Sequence, residues 1–257
     1  MALLGVMAWA MGRGAEVARS FRERRRALTF AATTLLISCN WVLYIWSVNT
    51  GHLLEASLGY FMNPLVTILL GVAFLREGLD RRQQVAVGLA AVGVAWMVVS
   101  HGRLPWISLV LAVTFALYAL LRKREGIDAV AGLLVETALL APAAAGWLLW
   151  LWWRGEAHFG TSPGMSILLL SAGAVTALPL VWFTIGVHRL RLSTVGLLQY
   201  VAPSLQFALA VLLYREPFDA SVAVTFAFIW AGLGLYTVDA IAKARRREAA
   251  PAVAPLD

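Results

Sequence analysis

Long apolar runs separated by short charged connections dominate the chain, at residues 1–12, 27–48, 53–75, 84–100, 105–121, 129–153, 164–187, 192–214 and 220–240. A bilayer core about 30 Å thick needs roughly 17 to 25 helical residues to cross it, so eight runs are predicted to span. The first, with twelve residues, would reach only about 18 Å. Barrel strands alternate apolar and polar positions, whereas these runs are continuously apolar, and only a helix then satisfies the backbone inside lipid. The predicted class is an all-α, multi-pass membrane protein, with the bilayer as its solvent partner.

Composition strengthens that reading. Of 257 residues, 61% are hydrophobic and 14% charged, with a mean hydropathy of +0.77. Soluble domains carry about 25% charged residues, so ordinary soluble enzymes are excluded. The single cysteine, Cys39, lies within an apolar run and is expected to be a small buried residue; it rules out an intrachain disulfide and a cysteine zinc cluster.

The net charge of +7 points away from nucleic acid once the charges are placed. Eighteen of the 21 Lys and Arg residues fall in alternate connections and the C-terminal tail, including Arg13, Arg19, Arg22, Arg24, Arg25 and Arg26 in the first loop and Arg122, Lys123 and Arg124 in the fifth. Only Arg103, Arg154 and Arg215 lie on the other side. Positive charge marks the cytoplasmic face, so these are read as solvated, orientation-setting loops with the C-terminus in the cytoplasm. No nucleic-acid partner is expected, and the tail, 242–257, is expected to be cytoplasmic and disordered.

Sliding the chain against itself by 139 residues places REGLD (76–80) on REPFD (215–219) and Pro64 on Pro203. Eleven of the 47 pairs over 53–99 are identical. The two R-E-x-x-D loops fall on opposite sides in the orientation derived from charge, so each repeat has an odd number of spans and the halves are inverted. The domain expectation is a first repeat over 1–103, a second over 104–241, and the tail. By the same offset, residues 1–12 match the later half of run 129–153, so the first repeat is expected to lack one and a half helices through a late start codon or a truncation. A signal peptide fits poorly, because six arginines follow residues 1–12 and no basic residue precedes them.

The stretches NWVLYIWSVNTGHLLEASLGYFMNPLV (40–66), LLVETALLAP (133–142), RLRLSTVGLLQYVAPSLQF (189–207) and VTFAFIWAGLGLYTVDAI (224–241) resemble the RarD proteins, in the EamA branch of the drug/metabolite transporter superfamily. The likeness covers almost the whole chain. It implies ten helices in two inverted five-helix units around a central cavity opening alternately to either side. This chain departs from that pattern at its N-terminus.

Ionisable groups at membrane depth cost about 2.5 to 3.5 kcal/mol each near a helix centre on insertion scales, so those present need a reason. Glu136, about 10 Å into its run, is either a protonatable coupling residue or a structural hydrogen-bond partner. Glu55 is the second coupling candidate, or simply an acid favoured at a helix N-terminus. Helical spacing puts Ser57, Tyr60, Pro64 and Thr67 on one stripe, and the offset pairs them with Gly196, Gln199, Pro203 and Gln206. Each proline is expected to interrupt its helix and free a carbonyl. These stripes are either a substrate site at the repeat interface or close helix packing. Asn40 and Asn63 join them as cavity candidates, and Trp41, Tyr44, Tyr118, Trp182 and Tyr200 as aromatic wall candidates. Trp147, Trp150, Trp152 and Trp153 read as an interfacial belt.

The expected function is secondary transport of a small metabolite or drug-like solute across the bacterial inner membrane by alternating access. The alternative is a truncated, non-transporting relic or accessory subunit. No G-x-x-x-x-G-K-[ST] phosphate loop is present, so energy would come from a gradient. An enzyme is not expected: His52, His101, His158 and His188 all sit at segment ends, none in an HExxH arrangement. No cofactor or metal is implied, and monomer and homodimer both fit.

Overall fold

A computed structural model describes residues 1–102, 106–212 and 220–249, and all the regular structure in them is helical. In chain order the helices are α1 (Ala2–Ala10), α2 (Gly14–Arg22), α3 (Arg24–Asn49), α4 (Leu53–Leu75), α5 (Arg81–His101), α6 (Trp106–Glu125), α7 (Ala129–Trp153), α8 (Pro163–Arg189), α9 (Leu192–Gln199), α10 (Val201–Leu212) and α11 (Ala220–Ala249). Among the described residues five of them, α3, α5, α6, α7 and α8, are long and apolar enough to cross a membrane, against eight runs expected to span; in the runs 53–75 and 220–240 the qualifying apolar stretches are shorter, Gly59–Leu75 and Ala223–Asp239. The second R-E-x-x-D loop, Arg103, the side chains of Glu55, Ser57 and Gln206, and residues 250–257 of the tail lie outside the described residues.

Several boundaries differ from the sequence expectation for local reasons. The arginine-rich first connection contains α2, whose Ser20 is fully buried and whose Val17 joins the core with Phe30, Ile127, Ala131 and Val135. Helix α6 runs past the expected end at 121 through Arg122, Lys123 and Arg124, whose charges suit a helix C-terminus, and stops before Gly126 at φ 63°. Helix α11 continues to Ala249 through the helix-forming sequence AKARRREA. The expected span 192–214 is two helices. Pro203 has no N–H for the carbonyl of Gln199, and at Tyr200 the chain tightens through a bond from its N–H to the Leu197 carbonyl at 3.2 Å. Its counterpart Pro64, by contrast, lies inside the continuous α4, so the expected interruption occurs in one copy only. Cys39 is exposed rather than buried, on an outward face of α3.

The helices form two compact units, each drawing on both predicted repeats. One comprises Met1–Ile45 and Thr114–Arg191. In it α1 lays Leu4 and Ala8 against Ala129, Val130 and Leu133 of α7 and Val181 of α8. Arg13 pairs with Asp128 at 3.5 Å, and Glu16 accepts from the Asp128 N–H at 3.0 Å, which ties α2 to the start of α7. The C-terminal half of α7 exposes Trp147, Trp150, Trp152 and Trp153.

The other unit comprises Trp46–Val113 and Leu192–Asp257, with α4 packed on α9 and α5 on α11. Its contacts repeat under the 139-residue offset. A Cβ on Gly93 would stand 3.0 Å from the Thr225 carbonyl oxygen, and one on Gly232 would stand 2.6 Å from that of Ala86. The offset turns each contact into the other. Phe61 and Tyr200, themselves offset partners, meet where the Tyr200 hydroxyl donates to the Phe61 carbonyl at 3.2 Å.

The charged loop that revealed the repeat has a structural task. Arg76 takes up a left-handed conformation at φ 52°, ending α4, and Asp80 closes a capping box with Gln83 at the start of α5. Glu77 reaches the start of α9, accepting from the N–H groups of Leu192 at 2.6 Å and Ser193 at 2.8 Å and from the Ser193 hydroxyl at 2.7 Å. Two of these charge-assisted bonds satisfy N–H donors that the helix cannot satisfy itself, and the third holds the Ser193 hydroxyl. Glu77→Ala is expected to cost about 2 kcal/mol, read as a lowered Tm of the detergent-purified protein.

Candidate functional site

The most concentrated polar chemistry lies in the first unit, where α6 and α7 form an antiparallel hairpin around residues 126–128. Folding back at that turn sets Arg122 and Tyr118 of α6 against Gly132 and Glu136 of α7. Tyr118 is 0% exposed, Arg122 1% and Glu136 3%, in helices that qualify as membrane spans. The Tyr118 hydroxyl donates to Glu136 Oε2 at 3.3 Å, and Arg122 Nε stands 3.8 Å from Glu136 Oε1. Arg122 Nη2 donates to the Ala129 carbonyl at 3.3 Å, and the guanidinium lies over the Phe30 ring at 5.5 Å. Gly132 makes this possible, since a Cβ there would overlap the guanidinium.

Helices α3 and α8 complete the surroundings. Thr33 of α3 and Thr184 of α8 add buried hydroxyls that donate to their own helices, at 3.1 Å to the Phe30 carbonyl and 2.9 Å to the Leu180 carbonyl. The backbone of α6 is anchored to α8 by His188 Nε2 at 2.8 Å from the Arg122 carbonyl oxygen, and by Lys123, which donates to the carbonyls of Val187 and Leu190. Asp128 caps α7 by accepting from the N–H groups of Val130 and Ala131 at 2.9 and 3.2 Å. A buried guanidinium, carboxylate and phenol together can exchange a proton and compensate or bind a charge.

Of the residues singled out from sequence, Glu136 and Tyr118 meet in this cluster. Arg122 was assigned to a solvated loop, and its burial corrects that assignment. Asn40 is buried in the same unit and donates to the Thr114 hydroxyl at 2.8 Å. Trp41 and Tyr60 are exposed, Trp182 is 68% exposed, and Tyr44 is half-buried.

The second unit gathers part of the paired stripes. The Thr67 hydroxyl lies 3.4 Å from both Asn63 Oδ1 and Gln199 Oε1, while Gln199 Nε2 is buried without a partner. Pro64 and Pro203 are buried. A Cβ on Gly196 would come within 2.6 Å of Ile68 and 2.7 Å of the Pro64 carbonyl oxygen, so α4 and α9 cross in direct backbone contact. That closeness favours the packing role for Gly196. Among the described residues there is no group of His, Cys, Asp and Glu suited to a metal ion.

Residues 1–99 match the EamA-like transporter family. Protein RarD of Streptomyces exfoliatus is 44% identical over 250 residues, covering 97% of this chain and 79% of that protein. Protein RarD of Escherichia coli (strain K12) is 47% identical over 223 residues, covering 86% and 75%. An uncharacterized transporter of Vibrio cholerae is 45% identical over 218 residues, covering 84% and 72%. A solved crystal structure shares the fold with a TM-score of 0.65 at 21% identity, over 92% of this chain and 83% of its own. Identity at this level across most of both chains is decisive: the chain belongs to the EamA-like transporter family of the drug/metabolite transporter superfamily, as a RarD-type member.

Proposed function

We propose that the protein is a secondary transporter of the bacterial inner membrane that moves a small metabolite or drug-like solute by alternating access, with its C-terminus in the cytoplasm. The observation that carries this reading is the Glu136–Arg122–Tyr118 cluster, sealed inside helices of spanning length. An acid kept at that depth is expensive to insert, and in membrane proteins such groups mark solute and proton pathways. The names of the relatives, transporter among them, point the same way.

Reciprocal contacts in the second unit support the inverted repeat. When residue i touches the partner of j, and j touches the partner of i, the two copies are related by a two-fold operation. Gly93 with Thr225 and Gly232 with Ala86 form such a pair, and the Phe61–Tyr200 contact lies where the axis would pass. With R-E-x-x-D loops on opposite sides by the 18 to 3 charge split, that axis lies in the membrane plane. Repeats over 1–103 and 104–241 are then two copies of one unit, and a two-fold operation exchanging them converts an inward-facing arrangement into an outward-facing one. Asn40, Trp41, Tyr44, Tyr60, Asn63, Pro64, Tyr118, Trp182, Gln199, Pro203 and Gln206 stay the candidate cavity residues, with Glu136 and Glu55 for coupling.

The test is flux in proteoliposomes over a range of pH. Glu136→Gln preserves shape and removes the titrating group, so the pH dependence of flux is expected to flatten. A variant with the same pH profile as the parent protein would take Glu136 out of coupling.

A further inference from the structure

Arg122 and Glu136 are held together by charge alone. Their 3.8 Å approach is too long for a hydrogen bond, and Arg122 Nε, Arg122 Nη1 and Glu136 Oε1 have no hydrogen-bond partner although both side chains are more than nine-tenths buried. Buried ion pairs are stable only when their remaining donors and acceptors are satisfied, so this pair is kept at a cost. The guanidinium is nonetheless fixed in place by the Ala129 carbonyl, the Phe30 ring and the space left by Gly132. Nothing in that fixation depends on Glu136.

We infer that Arg122 is the anion seat of a proton-gated site, which takes the carboxylate group of a small organic acid when Glu136 carries a proton. This rests on the transporter reading above and names its substrate class. With Glu136 ionised the guanidinium already faces one negative charge, and a second carboxylate would leave the buried cluster with net negative charge in a low-dielectric interior. Taking one proton from water onto Glu136 removes the internal competitor without moving the arginine. A bound solute carboxylate then restores neutrality. Proton and solute therefore bind together, each raising the affinity for the other by the same factor. For a monocarboxylate the result is electroneutral co-transport with one proton.

The other ionisable and hydroxyl groups around the pair are committed elsewhere or uncharged. Lys123 serves the Val187 and Leu190 carbonyls, His188 the Arg122 carbonyl, and Asp128 the α7 N-terminus and Arg13. Tyr118, Thr33 and Thr184 contribute hydroxyls.

The test uses the purified full chain in detergent, with thermal stabilisation by acetate, lactate, benzoate and succinate measured between about pH 5 and 8, and chloride and ethylamine as controls. At least one carboxylate is expected to stabilise the parent protein, with an apparent affinity that falls about tenfold per pH unit above the titration of Glu136. Glu136→Gln should bind the same carboxylate with that slope abolished. R122M/E136Q removes both charges at once, leaves no lone buried charge, and should lose carboxylate binding. The inference is overturned if no carboxylate stabilises either the parent or E136Q, if the slope survives in E136Q, or if R122M/E136Q still binds. If E136Q, which strands the buried arginine, does not purify, the slope in the parent protein and its loss in R122M/E136Q decide the question, and a purely structural ion pair would produce no such slope. Proteoliposomes separate this inference from the transport reading: carboxylate binding without flux overturns transport alone. Flux of an uncharged solute that persists in R122M/E136Q overturns the anion seat alone.

Discussion

Gly132→Ala is expected to unseat the Arg122 guanidinium and cost about 3 to 5 kcal/mol, the range found when one partner leaves a buried charge uncompensated. A Cβ at this position falls on the guanidinium itself, and Ala129 and Phe30 hold that group from other directions, so it has little room to yield. The loss is read as a lowered Tm of the purified protein. The same substitution made in R122M/E136Q should cost less than about 1 kcal/mol, because a flexible methionine can give way and no charge is stranded. Equal costs in the two backgrounds would mean that Gly132 serves helix packing and not the arginine.

Gly232→Ala is the second large effect, expected at about 1 to 3 kcal/mol, since its Cβ would meet the backbone carbonyl of Ala86 at 2.6 Å and α5 and α11 would have to separate. Gly93→Ala meets the Thr225 carbonyl at 3.0 Å and the Phe228 Cβ at 3.1 Å and should cost less. Both changes strain one crossing. Once the helices have moved apart for the first, the second is partly relieved, so the double variant should lose less than the two single losses combined. Gly234, two positions on, has nothing within 4 Å of its Cβ and serves as the control; alanine there should be neutral or stabilising through helix propensity. Full additivity at 93 and 232 would argue against a shared crossing.

The sequence made the apolar helices legible because lipid imposes one rule along their whole length, and the ends of α4, α7 and α8 fall within two residues of expectation, although five helices rather than the expected eight have spanning length and apolarity among the described residues. Where a boundary shifted, a local interaction had displaced the hydrophobic edge. Asp80 starts α5 three residues early through its capping box, and the arginines of the first connection coil into α2 because Val17 and Ser20 have a core to enter.

The site was half legible. Glu136 stood out as a lone acid in an apolar run, and Tyr118 as one of several aromatics. Arg122 was hidden by its neighbours, since three consecutive basic residues at a helix end look like a solvated cluster. The missing signal was the hairpin. A turn centred near Gly126 and Asp128 folds residue 122 back opposite 132–136, and a buried acid needs a counter-charge, so Arg122 beside a glycine at 132 was the available partner. The Glu77 clamp was harder to foresee, because its partners Leu192 and Ser193 are backbone donors more than a hundred residues away.

The most direct test of the account is the sidedness of the two R-E-x-x-D loops. With Cys39→Ser as background, Arg76→Cys and Arg215→Cys are placed separately in the full chain and labelled in intact cells and in inverted vesicles with a membrane-impermeant maleimide. The inverted repeat predicts labelling of position 76 only in inverted vesicles and of position 215 only in intact cells. Labelling of both from the same side would contradict it and remove the structural basis for alternating access.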